Sequence, residues 1–139
     1  MKPLRWKRLF WAGSVAGLAV LAGEMVINGV LLRDEWREVA AVVPLEPASR
    51  GWILVVILLT WLLGFLLIWL QQAFLPLKGG PARAAAFSAL VVWSLVFVYT
   101  SAWAAAFGFF PLRLLVIATI WGLGELVLAS LLAGWIYRR

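Results

Sequence analysis

Apolar residues run along this chain in four long blocks, broken by short polar stretches, with no strand-like alternation between them. The blocks cover residues 9–32, 52–75, 84–107 and 112–136. At about 1.5 Å rise per residue, each is long enough to cross a hydrocarbon core of about 30 Å with some tilt. Lipid offers a backbone N–H or C=O no partner, so each block must close its hydrogen bonds internally as a helix. The pattern therefore predicts an all-α membrane protein: an antiparallel four-helix transmembrane bundle, one domain over residues 1–139.

The connections differ in kind. Between the first two blocks, residues 34–43 place Trp36, Val39, Ala40 and Val43 on one helical stripe, with Asp34, Arg37 and Glu38 elsewhere. Pro44 and Pro47 end it. This predicts a short helix lying at the outer interface. Its roles at this point are a lid over the bundle, a docking surface or a plain solvated elbow, and the elbow asks least of the sequence. Residues 75–82 form a turn dense in Pro and Gly. Residues 107–112 are tighter, with Pro111 suited to the first turn of the last helix.

Composition agrees with the pattern. Hydrophobic residues make up 65% of the chain and charged ones 13%, with a mean hydropathy of +1.03. A soluble domain carries about 25% charged residues, so a soluble domain of its own is not expected. The basic start, Met1 to Arg8, looks like the front of a signal peptide. The apolar run behind it exceeds the ~7–15 residues of such a region and ends in no small-residue cleavage site, so it reads as a retained first span.

Charge sets an orientation. Lys2, Arg5, Lys7, Arg8, Lys78, Arg83, Arg138 and Arg139 fall on one side; Arg33, Arg37, Arg50 and Arg113 fall on the other, offset by Asp34, Glu35, Glu38 and Glu46. The excess of Lys and Arg predicts both termini on the cytoplasmic side. The net charge of +6 is thereby explained by span ends and anionic lipid, and nucleic acid is not an expected partner. The chain has no Cys and no His, which excludes disulfides, thiol catalysis, histidine-ligated haem or copper and imidazole proton transfer. Among ten tryptophans, Trp6, Trp11, Trp36, Trp52, Trp69 and Trp135 lie near interfaces. Trp61, Trp93, Trp103 and Trp121 lie deeper and read as packing or lipid contacts.

Two acids remain inside the spans, Glu24 and Glu125. A carboxylate there costs roughly 2.5–3.5 kcal/mol on insertion scales, so it should face protein, water or a partner. Each lies on a face of small residues, which let helix backbones approach closely: Gly13 and Gly17 with Glu24 and Asn28 in the first span, and Ala118, Gly122, Ala129 and Ala133 with Glu125 in the fourth. These spans are antiparallel neighbours in an up-down bundle. Counting from the span centres puts the two acids roughly 6–8 Å apart in depth, sharing a crevice without touching. No Lys or Arg inside a span neutralises them. Three states stand open: protonated carboxyls, carboxylates holding a cation, or carboxylates paired with another chain.

A proton or cation relay, or a polar site for a small solute, is one reading of Glu24, Asn28 and Glu125; interhelical hydrogen bonds holding the bundle together are the other. Gln71 and Gln72 fall near the cytoplasmic interface, where water would satisfy them, and Tyr99, Thr100 and Ser101 are placed to line the outer half of the crevice. No nucleophile, metal-ligand set or phosphate loop accompanies the acids, so neither an enzyme, a metal nor a cofactor is expected.

The order of these features resembles a group of small four-span bacterial inner-membrane proteins with no assigned activity. The matching residues are Glu24 with Asn28-Gly-Val-Leu31, the acidic Trp-containing outer loop, and Gly122-Leu-Gly-Glu125 with Ala133-Gly-Trp-Ile-Tyr-Arg138. The group's pattern has His where this chain has Asn28. The expectation taken forward is a non-catalytic accessory or assembly subunit of a larger membrane complex. Its partners would be lipid and other membrane subunits, or further copies of the chain. The alternative is a small proton- or cation-coupled transporter using Glu24 and Glu125.

Overall fold

The computed structural model describes residues 5–43 and 49–139. Lys2, Pro44, Glu46 and Pro47 lie outside the described residues. Helix α1 (Trp6–Val26) continues through a π-helical turn, Ile27–Leu31; α2 (Arg33–Val42) follows, then α3 (Arg50–Lys78). The third span is built from α4 (Pro81–Trp93), a second π-helical turn (Ser94–Val98) and α5 (Tyr99–Ala106), and α6 (Leu112–Arg138) closes the chain. Four helical stretches, Trp6–Leu31, Arg50–Lys78, Pro81–Ala106 and Leu112–Arg138, are long and apolar enough to cross a membrane. The protein is all-α, with the layout of a four-helix transmembrane bundle.

Helix ends run a few residues past the apolar blocks. Helix α3 continues through Pro76 to Lys78, because a proline so close to the end removes only one backbone bond, and Gly79 (φ 66) supplies the left-handed exit. Pro111 sits one residue earlier than expected, as the N-cap of α6. Gly108 (φ 67) turns the chain just before it.

Around the bundle α1 packs against α3 and α6, and α4 packs against the same two. The first and last spans are thus neighbours. Leu9, Ala12, Ala16, Val20, Leu67, Ile68, Ala89, Val92, Leu126, Ala129 and Ala133 form the core. Alanine at so many of these places lets the helices approach closely, as small residues do in lipid. The tightest approach is the α1–α3 crossing. A Cβ on Gly17 would stand 2.7 Å from Trp61 Cα, one on Gly13 would stand 2.7 Å from the Phe65 ring, and one on Gly64 would enter the Gly13–Gly17 backbone. Toward its N-terminal end, beyond this crossing, α3 is bare: every residue from 51 to 59 is exposed.

A second apolar cluster closes the end of the bundle that carries α2. Ile27, Leu32, Val39, Leu114 and Leu115 are buried together, with Trp36, Phe110, Ile117 and Trp121 packed against them. Helix α2 lies on this cluster through Leu32, Trp36 and Val39, while Ala40 and Val43 of the expected stripe are exposed. Arg113 at the start of α6 lies 3.5 Å from Glu35 of α2.

Candidate functional site

Glu125 is 8% exposed on α6, and it faces α1. A Cβ placed on Gly23 would stand 2.8 Å from Glu125 Cδ and 3.1 Å from Cγ, so the carboxyl rests on the backbone of the residue beside Glu24. The depth offset expected between the two acids is therefore closed. The reason is the lean of helical side chains toward their own N-terminus. Helix α6 begins at the end of the bundle that carries α2, so Glu125 reaches from mid-span toward that end, to the level of Gly23. The Glu125 carboxyl thus borders the residue next to Glu24. Among the described residues no hydrogen bond joins the two carboxyls directly.

Neutral N–H groups serve each acid separately. Trp121, one turn earlier on α6, donates its indole N–H to Glu125 Oε2 at 3.0 Å. Asn28, in the first π-helical turn, donates from Nδ2 to Glu24 Oε2 at 2.8 Å and to the Glu24 main-chain oxygen at 3.0 Å. Asn28 Oδ1 in turn accepts from the Trp36 indole at 3.0 Å. Helix α2 is thus tied to Glu24 through Trp36 and Asn28. The second carboxyl oxygen of the buried acid, Glu125 Oε1, has no partner.

The other polar residues fall into separate places. Gln71 is 2% exposed rather than wetted at the interface. It sits against Gly134 of α6 and donates from Nε2 to Pro81 O at 3.2 Å, because the Gly79–Gly80 turn brings the start of α4 beside it. Ser88 of α4 and Ser130 of α6 form a buried hydroxyl pair at 2.9 Å. Tyr99, Thr100 and Ser101 do not join the acids: Tyr99 is exposed, Thr100 bonds the Val96 carbonyl of its own helix, and Ser101 accepts from Thr119 at 2.8 Å. Ser101 and Thr119 line an apolar cleft of about 290 Å³ between α5 and α6, with Val98, Leu115 and Ile120. Gly13 and Gly17 serve the α1–α3 crossing, Gly122 receives the Phe97 ring, and Ala129 and Ala133 are fully buried. Ala118 is half-buried beside the outer cluster.

Residue patterning did not single out Trp36 and Trp121 as donors to the site. Tryptophan is common at membrane interfaces for its amphipathic ring alone, which masks an indole chosen for its N–H. One signal was available: Trp121 precedes Glu125 by four residues, and positions four apart share a helix face.

Fold and site together define a multi-pass helical membrane protein with a carboxyl pair between its first and last spans. No family model, curated protein or solved structure matches the chain.

Proposed function

We propose that this chain is a small proton- or cation-coupled membrane transporter whose working groups are Glu24 and Glu125. The observation that carries the reading is Glu125 itself. It is nearly buried, borders the residue next to a second acid, and holds one oxygen unpartnered. A plain structural carboxyl between helices would be expected to find donors for both oxygens, because an unmet buried polar group costs about 1–3 kcal/mol. Two acids with no nearby Lys or Arg instead need a positive species to come and go. The charge asymmetry of the connections supports both termini in the cytoplasm, so that α2 covers the site from outside. The test is flux in proteoliposomes under an imposed proton or cation gradient. Wild-type protein carries a flux that Glu125→Gln abolishes while expression and folding persist; unchanged flux in the variant rejects the role.

A second reading is an accessory or assembly subunit of a larger membrane complex. The bare outer half of α3, residues 51–59, favours it, since a flank of that length is free to meet another membrane helix. Extraction in mild detergent separates the two. Co-migration with other polypeptides supports the subunit, and a lone monomer or small homo-oligomer supports the transporter.

A further inference from the structure

Resting on the ion-handling reading above, we infer that the species taken up by the Glu24–Glu125 site is a proton held on Glu125 Oε1, not a metal cation. The donor set decides this. Trp121 Nε1–H points at Glu125 Oε2, and Asn28 Nδ2–H points at Glu24 Oε2. Asn28 Oδ1, a neutral side-chain oxygen beside Glu24, is occupied by the Trp36 indole. Hard cations gather about six or more oxygens, whereas here hydrogen atoms occupy the approach to two of the carboxyl oxygens. No third acid joins the pair, and no cluster of three or more His, Cys, Asp or Glu side chains occurs among the described residues.

A proton asks for much less. It needs one oxygen, and Glu125 Oε1 is a buried oxygen with no partner on a side chain that is itself more than nine-tenths buried. The surroundings supply no other positive charge. Helix α1 has no Lys or Arg between Arg8 and Arg33, α3 has none between Arg50 and Lys78, the third span has none after Arg83, and α6 has none between Arg113 and Arg138. Glu35 of α2 and Arg113 of α6 pair with each other at 3.5 Å, and Asp34 and Arg37 of α2 pair at 3.0 Å. Uptake forms an O–H bond on Glu125 Oε1 and takes the pair from two negative charges to one. Release breaks that bond and passes the proton to the Glu24 carboxylate, which is half-buried. Asn28, held by Trp36, keeps Glu24 oriented as that acceptor.

Infrared spectroscopy of the full chain in lipid at neutral pH tests this, alongside melting temperatures in NaCl, KCl, MgCl2 and choline chloride at matched ionic strength. The expected result is a protonated-carboxyl C=O band that shifts in D2O, is lost in Glu125→Gln and persists in Glu24→Gln. Melting should be the same in all four salts. Absence of the band overturns the inference, as does a melting rise with sodium, potassium or magnesium that Glu125→Gln removes. If Glu125→Gln does not fold, the band in wild type and Glu24→Gln still decides, because loss of the band in Glu24→Gln would place the proton on the wrong acid. A band present with no flux in any gradient leaves the proton site standing and removes the transporter reading.

Discussion

At the scale of the residue, Glu125 has two tasks that substitutions can separate. Its Oε2 receives the Trp121 indole, and its Oε1 is buried without a partner. Glu125→Gln keeps an oxygen for the indole and should change stability by less than about 1 kcal/mol. Glu125→Leu strands the indole N–H in a half-buried place and should cost about 1–3 kcal/mol. Thermal melting in detergent reads both, and equal melting of the two variants would show that the Trp121 bond contributes nothing. The acids were legible in the sequence because a charge inside an apolar block stands out. Of their partners, Asn28 stood out at helical spacing from Glu24, whereas the indoles of Trp36 and Trp121 did not. Gly23 could be read only as half of a repeated Gly-Glu pair, whereas its use is to leave room for the Glu125 carboxyl.

Helix existence and helix neighbourhood differ in how well they can be read. Length and hydropathy force each span to be a helix, so four spans and the short outer helix follow from the pattern. The contacts depend on side-chain lean and crossing geometry, which a one-dimensional pattern does not hold. Gly64 shows this: nothing about its isolated place in an apolar run marks it, yet its Cα faces the Gly13–Gly17 backbone across the α1–α3 crossing. Backbone cannot step aside as a side chain does, so Gly64→Ala should destabilise by about 1–3 kcal/mol through overpacking. Gly124→Ala is the control, since a Cβ there meets nothing within 4 Å. Unfolding of the two variants in a denaturing detergent should separate them clearly, and similar midpoints would argue against so close a crossing.

For the whole molecule, the charge pattern makes a statement about sidedness that labelling can check. The chain has no cysteine, so single cysteines report without background. Lys78→Cys should react with an impermeant maleimide only after cells are opened, and Arg113→Cys should react in intact cells. The reverse pattern would put α2 and the entrance to the carboxyl pair on the cytoplasmic side. The α1–α3 crossing has a mechanical consequence at this scale. On the side of the chain termini the helices are clamped by glycine and alanine contacts; on the α2 side α3 runs unsupported over residues 51–59. Such a bundle is stiff in one leaflet and compliant in the other. Helices meet a change of bilayer thickness by tilting, and here the adjustment falls on the outer arm of α3, so stretching or thinning the membrane would deform the protein on one side only.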